Sequence, residues 1–394
     1  MRQLLRLTYC CILLLALQPT SASAMVCENG TEIQHSFDSG ASWFFCASLN
    51  EYHALEISTV HYQAPGDRSR QVLQLAHLGQ LLLHYHDSNT PIALIGANAL
   101  GGDALQPFSD AVCAGERYPG GVMRNMLCTE VQSSGLLAKY AMRRGVQGEQ
   151  FRVYSVSTYN GLTFQIGYGL SEDGKVSPFV SMSGQPLHST TDERFGNALI
   201  NPTTDAKIIG TQATLLFTWR LVFAINGDGQ DDRVEEFNFT LLPDAGNRRP
   251  MQVSQLQTET FRNTKRDVFR GWRVRDDSGR GYYLDPQKNG YAYRDSNNNW
   301  AQFEVAVTAF NPCQQHALLA DNLSSTDNDH CVGSLDQFVN GDSLVNRQPV
   351  LWYSLARIYR PRAEDYPFIS AVQTEFDLLP FDWTNASPFE VIRE

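Results

Sequence analysis

The 394-residue chain lacks the short motifs that mark several large enzyme classes. It contains no Gly-x-Ser-x-Gly nucleophile elbow, no phosphate-binding glycine loop and no His-Glu-x-x-His zinc motif. Charged residues make up only 19% of the chain, and acidic residues exceed basic ones to give a formal net charge of −11. Because nucleic-acid binding depends on clustered Lys and Arg that neutralise phosphates, this composition argues against a nucleic-acid partner.

Long apolar runs are also missing after the first 24 residues, where none reaches the roughly 20 residues that a membrane-spanning helix needs. The first 24 residues combine two arginines, an apolar stretch over residues 9–17, and the small residues Ala22, Ser23 and Ala24. This combination is typical of a secretory signal peptide. We therefore predict that residues 1–24 are removed and that the mature protein is secreted or periplasmic, without a membrane span.

Cysteine is scarce but regularly placed. Two of the eight cysteines lie in the signal peptide, which leaves six in the mature chain. Six cysteines in an exported protein suggest three disulfides, although many pairings are open to them. Because they fall as three close pairs along the chain, neighbour pairing is the simplest hypothesis. The resulting bridges are Cys27–Cys46, Cys113–Cys128 and Cys313–Cys331.

Most of the mature sequence has the alternating apolar and polar pattern of β-strands. Residues 33–37 alternate ahead of a turn at Gly40, and the dipeptide Asp173-Gly174 separates two alternating runs as hairpin turns do. We predict an all-β protein in which residues 25–53 form a disulfide-pinned hairpin. The length of the remainder allows one large β domain or two ordinary ones.

The most specific segment is LWYSLARIYRPRAEDYP, from Leu351 to Pro367. Its apolar and aromatic residues predict a buried strand that ends in a charged turn beginning at Pro361. It resembles the last signature of the copper-dependent amine oxidases, in which a strand ends in histidine before a Pro-Arg-x-Glu-Asp-x-Pro turn. Tyr359 occupies the position of that family's third copper-binding histidine. Other segments resemble further family signatures, in the family order, between residues 54 and 389.

Two of these segments resemble the family's remaining copper and base motifs. The run LLFTWRLVFAINGDG is similar to a His-x-His strand followed by Arg-Leu-Asp, and Arg220 and Leu221 anchor the alignment. Ala213 and Leu215 then occupy the two histidine positions. In the glycine-rich run IALIGANALGG, Leu94 occupies the position of the aspartate that acts as catalytic base. Neither aliphatic residue type binds copper, and leucine cannot accept a proton.

A third segment, STYNGL, resembles the family's cofactor strand, in which the tyrosine of Asn-Tyr-Asp/Glu becomes topaquinone. Tyr159 has that position, with Thr158 and Asn160 in place of the flanking residues. The resemblance further implies the Cys113–Cys128 disulfide, a homodimer, and a large antiparallel β-sandwich, or supersandwich, over residues 54–394.

The resemblance implies copper and a quinone that oxidise primary amines, but the ligand and base positions of this chain are replaced. We therefore expect a non-catalytic amine-oxidase-like protein without a cofactor. Its partner would be a small amine or another extracytoplasmic protein. The alternative is a primary amine oxidase that uses copper and topaquinone at an unorthodox metal site.

His84 and His86 are the best metal-binding pair that remains. They flank Tyr85 in a predicted strand, so alternation places both imidazoles on one face. His188 is a guess at a third ligand. The other interpretation is that these are surface histidines beside a turn.

Overall fold

A computed structural model describes residues 27–384 and 387–388, except 29, 96–98, 111, 121–122, 141–143, 186–187, 201–203, 205–206, 242–247, 286–297 and 319–332. Strands account for most of this structure, and a single-turn helix, α1, covers Leu335–Phe338. The strands, numbered in chain order, are β1 (Thr31–Ser36), β2 (Ser42–Asn50), β3 (Ala54–Gln63), β4 (Arg70–Tyr85), β5 (Ile92–Leu94), β6 (Glu116–Gly120), β7 (Met123–Tyr140), β8 (Arg144–Tyr159), β9 (Leu162–Ser171), β10 (Val176–Gly184), β11 (Ser189–Thr190), β12 (Gly196–Ile200), β13 (Lys207–Thr211), β14 (Ala213–Phe223), β15 (Arg233–Phe239), β16 (Met251–Gln255), β17 (Thr260–Arg262), β18 (Gly271–Arg275), β19 (Gly281–Asp285), β20 (Val305–Ala309), β21 (Pro349–Tyr359), β22 (Ile369–Glu375) and β23 (Asp377–Phe381). Short 3-10 turns cover Gly102–Ala104, Glu193–Phe195, Arg266–Val268, Asn299–Gln302 and Ala363–Asp365.

The described strands form two large sheets and one small one. The first large sheet has the order β1-β2-β3-β4-β14-β21-β20-β17, with β5 also paired to β4. The second has the order β16-β15-β18-β19-β23-β10-β9-β8-β7-β6, with β22 also paired to β10, and the small sheet is β11-β13-β12. Neighbouring strands run antiparallel, as in the β4–β14–β21 centre of the first sheet. The predicted all-β class is therefore confirmed.

The main core lies between the two large sheets. Trp219 of the first sheet and Tyr168 of the second meet edge to face, with ring centroids 5.3 Å apart. The polar atoms of the large aromatic residues make hydrogen bonds from one sheet to the other. The Tyr168 hydroxyl donates to the Ala76 carbonyl at 2.7 Å. The Trp43 indole donates to the Ser171 carbonyl at 2.9 Å. Burial of large aromatic side chains with paired polar tips is what stabilises such an interface.

A second apolar layer covers the outer face of the first sheet. Leu82 and Leu216 are cross-strand neighbours on this face, and they belong to one buried cluster with Trp352. Phe338 of helix α1 packs beside the Trp352 ring, with centroids 6.4 Å apart. The central strands of this sheet are consequently buried on both faces, which explains why β14 and β21 read as nearly continuous apolar runs.

The structure contains two of the three predicted disulfides. Cys27–Cys46 ties the start of the described chain to β2, and Cys113–Cys128 packs with aromatic residues in a small cluster of its own. Cys313 is also disulfide-bonded. Its predicted partner, Cys331, lies outside the described residues, as does the predicted signal peptide.

The predicted N-terminal hairpin exists as β1 and β2, and β2 pairs in turn with β3 of the same sheet. The predicted turn at Asp173-Gly174 also joins β9 to β10. A boundary between residues 53 and 54 stays a prediction. Among the described residues, no helix has the length and apolar character needed to cross a membrane.

Candidate functional site

Three neighbouring strands of the first sheet bring the predicted ligand positions together. Ala213, at the start of β14, lies opposite Tyr359 of β21 on one side and Tyr85 of β4 on the other. Leu215 is two residues farther along β14, so the two-residue period of a strand puts it on the same face as Ala213. Residues far apart in the sequence therefore converge at one end of the sandwich interior.

A small cavity lies at this convergence, with a volume of about 20 Å³. Its lining comprises six apolar side chains (Leu83, Leu162, Met182, Ala213, Leu215 and Ile369) and four polar ones (Tyr85, His188, Thr211 and Tyr359). A cavity of this size has room for about one water molecule. Most of its wall is hydrocarbon.

The donor set of this cavity does not fit copper. Ala213 and Leu215 offer no ligand atom, and copper favours imidazole and thiolate ligands. The Tyr359 hydroxyl already donates to Asp365 Oδ2 at 3.2 Å. Burial, followed by the negative charge of Asp365, raises the pKa of Tyr359 well above its ordinary value, so the phenol stays protonated. A protonated phenol that donates elsewhere is a poor metal ligand.

Asp365 holds the turn after β21 in place. Its carboxylate is almost fully buried and accepts from the Arg362 backbone N–H at 3.0 Å and the Arg362 guanidinium at 2.8 Å, besides the Tyr359 hydroxyl. The Pro-Arg-x-Glu-Asp signature thus forms a small hydrogen-bonded unit. This unit fixes the end of the strand that carries Tyr359.

Tyr159, at the position of the quinone-forming tyrosine, ends β8 near the same cavity. It pairs with the cavity-lining Leu162, and it lies half-buried against the main core. Burial raises the pKa of Tyr85, and the nearby Tyr159 hydroxyl adds to the increase. Asn160 and Gly161 both have positive φ, of 44° and 76°, as a two-residue hairpin turn between β8 and β9 requires. The residues after Tyr159 therefore serve as a turn.

Leu94 is buried at the end of β5, where it pairs with Leu81 of β4. It does not line the cavity, and its side chain offers no group for proton transfer. Gly96 and Ala97, which continue the glycine-rich signature, lie outside the described residues.

The histidine pair at the end of β4 does not face this cavity. Tyr85 lines the cavity, so His84 and His86, on either side of it, belong to the other face of the strand. Their ring centroids are 6.5 Å apart, and they contact the Ser88 carbonyl and the Thr214 hydroxyl respectively.

His188, the guessed third ligand, lies on the cavity side. It stacks on Tyr85 with ring centroids 4.0 Å apart, and its Nε2 lies 3.0 Å from the Asp87 carboxylate. The structure therefore does not bring His84, His86 and His188 together.

The sequence reasoning missed another group of ligand-type side chains. Across the described part of the chain, the three such residues with donor atoms close together are His53, Glu56 and His77. A His-x-x-Glu pattern that runs from the residue before β3 into the strand is the local signal. It is easily missed, because residues three apart in a regular strand lie on opposite faces. Ala54 has a positive φ of 63°, which interrupts the regular alternation between His53 and Glu56.

Comparisons with known proteins decide the family. The family model described as the enzyme domain of copper amine oxidase matches residues 39–393. The chain belongs to the copper amine oxidase family. A search of curated proteins finds no match to this family member.

Solved structures with the same fold share little sequence with this copper amine oxidase family member. A copper-containing benzylamine oxidase from Hansenula polymorpha is 15% identical with a TM-score of 0.74, and the alignment covers 95% of this chain and 65% of that one. An Aspergillus nidulans amine oxidase is 18% identical with a TM-score of 0.70, covering 98% and 56% of the respective chains. A lysyl oxidase from Pichia pastoris is 14% identical with a TM-score of 0.68, covering 95% and 56%. The chain therefore spans between about half and two thirds of the length of these relatives.

Proposed function

We propose that this protein is an exported, non-catalytic member of the copper amine oxidase family with a binding or structural role. The observation that carries the proposal is the cavity between the two large sheets, where β4, β14 and β21 form one wall. Ala213, Leu215 and Tyr359 converge there on the face where the family signatures put copper ligands, and they supply no free donor. The protein has the family fold, but the side chains at the copper-ligand positions offer no free metal-binding atom.

Export is supported by the cysteine chemistry. The structure contains Cys27–Cys46 and Cys113–Cys128, and such bonds persist mainly in oxidising compartments. The signal-peptide pattern of residues 1–24 points the same way. The proposed location is therefore periplasmic or secreted, and the proposed ligand is a small amine or another protein of that compartment.

An assay for amine oxidation tests directly whether the protein is non-catalytic. Purified mature protein supplied with Cu²⁺ and oxygen is expected to release no hydrogen peroxide from benzylamine above the blank, because the cavity side chains cannot hold the ion beside Tyr159. A peroxidase-coupled assay measures this, with the Hansenula polymorpha benzylamine oxidase as positive control. Sustained turnover that phenylhydrazine blocks would show that the protein is an enzyme.

We also propose that the chain forms a homodimer through the edge of its second sheet. Strand β16 lies at that edge, and all five of its residues are exposed, including Met251 at 43% and Val253 at 40%. An exposed edge strand with apolar side chains is a ready surface for pairing with a second copy.

Light scattering tests the dimer. The mature wild-type protein is expected to have twice the mass of one chain, and Val253→Lys is expected to shift it to the monomer mass because it places a charge on the edge strand. Val131→Lys, at a residue that is 47% exposed on β7, should leave the dimer intact. A monomeric wild type, or a dimer that survives Val253→Lys, would contradict this arrangement.

One observation favours the second candidate function, a copper- and quinone-dependent primary amine oxidase. Tyr159 keeps its place beside Tyr85 and across from Leu162 at the cavity. That function requires metal ligands other than Ala213, Leu215 and Tyr359 close to this tyrosine. In the described part of the chain, His188 is the imidazole that lines the cavity, and it contacts Asp87.

A further inference from the structure

A cluster of buried polar side chains lies on the outer face of the first sheet, opposite the face that lines the cavity at Ala213, Leu215 and Tyr359. Glu56 of β3, His77 of β4 and Arg220 of β14 are direct cross-strand neighbours in one row. His53 stacks on His77 with ring centroids 3.9 Å apart, and His316 approaches from the loop after Cys313. His77 and Arg220 are completely buried, and His53 and His316 are 2% and 6% exposed.

The His77 ring has one nitrogen without a partner. Gln315 donates its side-chain amide to the Pro312 carbonyl, which leaves Gln315 Oε1 facing His77 Nε2 at 3.2 Å. An amide oxygen only accepts, so Nε2 carries the ring proton and Nδ1 is a bare lone pair. Nδ1 makes no hydrogen bond. Buried acceptors in native proteins nearly always have a partner, and a fully buried bare imidazole nitrogen therefore calls for one.

The remaining donor atoms are already close to metal-binding spacing. His53 Nε2 lies 3.2 Å from Glu56 Oε2, and one ligand atom from each of His53, Glu56 and His77 lies within 4.8 Å of the other two. Two ligand atoms about 2.1 Å from a tetrahedral ion are about 3.4 Å apart. The His53–Glu56 pair fits this spacing as it stands. The distances from the His77 atom to the other two have to shorten by at most about 1.4 Å each.

The loop at residues 315–316 supplies an outer hydrogen-bond partner to each histidine. Gln315 Oε1 accepts from His77 Nε2, and His316 Nε2 lies 3.1 Å from His53 Nδ1. Histidines that bind metals usually donate their second N–H to such a partner, which orients the ring and sets its tautomer. The two rings stack with their planes only 19° apart, so one ring has to rotate before both can point a nitrogen at a common ion.

We propose that His53, Glu56 and His77 bind one divalent first-row transition-metal ion, such as Zn²⁺ or Cu²⁺, and that Gln315 and His316 orient the two imidazoles. The ion fastens the loop after Cys313 onto the first sheet. The Glu56 side chain is 21% exposed and provides the route from solvent. This site is separate from the family copper position, and it does not depend on the proposed function.

The charges around the cluster act in opposite directions on a bound cation. The buried Arg220 guanidinium opposes a cation, while the Glu56 carboxylate favours it. Because Cu²⁺ binds nitrogen and oxygen ligands more tightly than Zn²⁺ does, we expect the affinity for Cu²⁺ to be the higher of the two.

Equilibrium dialysis of the chelator-treated mature protein tests the site. One Zn²⁺ per chain is expected to bind, with Cu²⁺ displacing it. Glu56→Gln and His77→Gln should each weaken Zn²⁺ binding by at least about tenfold, and Gln315→Ala by about 10- to 100-fold through loss of ring orientation. Glu51→Gln, an exposed neighbour in the preceding turn, is the matched control and should leave Zn²⁺ binding unchanged.

X-ray absorption of the wild-type Zn²⁺ protein keeps the proposal testable even where a buried-histidine variant does not fold. Two imidazoles and one carboxylate are expected at about 2.0–2.2 Å from the ion. Wild-type protein that binds neither Zn²⁺ nor Cu²⁺ stoichiometrically would overturn the proposal. So would binding that survives Glu56→Gln and His77→Gln but is lost in the double variant His84→Gln, His86→Gln.

Discussion

Combining Ala213→His, Leu215→His and Tyr359→His is expected to raise the copper content of the protein by one equivalent per chain. Ala213 and Tyr359 are directly paired across β14 and β21, and Leu215 shares their face of the sheet. Three imidazoles at these positions meet the preference of Cu²⁺ for nitrogen ligands. Because the cavity measures only about 20 Å³, the larger Ala213 replacement should also cost about 1–3 kcal/mol of stability through overpacking.

Metal analysis after dialysis against Cu²⁺ measures the gain, relative to wild-type protein treated identically. The double variant Ala213→His, Leu215→His is the control, since two ligands in a buried cavity should hold copper much more weakly than three. A triple variant that is folded by circular dichroism yet gains no copper over the double variant would show that these positions do not share a metal-binding geometry.

Asp365→Ala is expected to lower the free energy of unfolding by about 2 kcal/mol, because it removes the hydrogen bonds from the Tyr359 hydroxyl and the Arg362 backbone N–H to a nearly fully buried carboxylate. Tyr359→Phe removes only one of these bonds and should cost about 1 kcal/mol. The Arg362 guanidinium is largely exposed, so its ion pair with Asp365 adds little. Urea unfolding followed by tryptophan fluorescence measures these differences.

Glu364→Gln is the matched control for Asp365→Ala, since Glu364 is the exposed acid next in the same turn. Its stability should stay within about 0.5 kcal/mol of wild type. Equal losses in Glu364→Gln and Asp365→Ala would mean that net charge, and not the buried hydrogen-bonded unit, stabilises the turn.

Much of the fold follows from local sequence signals. Alternation predicts the strand at residues 33–37, and the Asp173-Gly174 dipeptide predicts the turn that joins β9 to β10. The order of strands within the sheets has no such signal. Strand β4 lies beside β14, although more than 120 residues separate Tyr85 from Ala213. That pairing depends on the burial of complete sheet faces, and the sequence analysis did not predict it.

The candidate sites were predictable to different degrees. The resemblance assigned Ala213, Leu215 and Tyr359 to the family's copper-ligand positions, and the structure brings these residues together. The metal cluster could not be derived in this way. His316 meets His53 across 263 residues of sequence, and the positive φ of Ala54 breaks the alternation on which strand patterns rest. Contacts of this kind depend on tertiary packing and on residues with an unusual backbone conformation, such as the positive φ of Ala54.

A second metal site changes how copper content should be interpreted. Copper bound by His53, Glu56 and His77 would give a stoichiometric signal without any amine oxidase chemistry. The state of Tyr159 is therefore the decisive observable, because the quinone forms on that side chain alone in the family chemistry.

The most direct test is peptide mass spectrometry across Tyr159, after aerobic incubation of the mature wild-type protein with Cu²⁺ and then phenylhydrazine. If the protein is non-catalytic, that peptide is expected to contain an unmodified tyrosine and no hydrazone. A phenylhydrazine adduct on Tyr159, formed only when both Cu²⁺ and oxygen were supplied, would contradict the account and identify the protein as a quinone-forming amine oxidase.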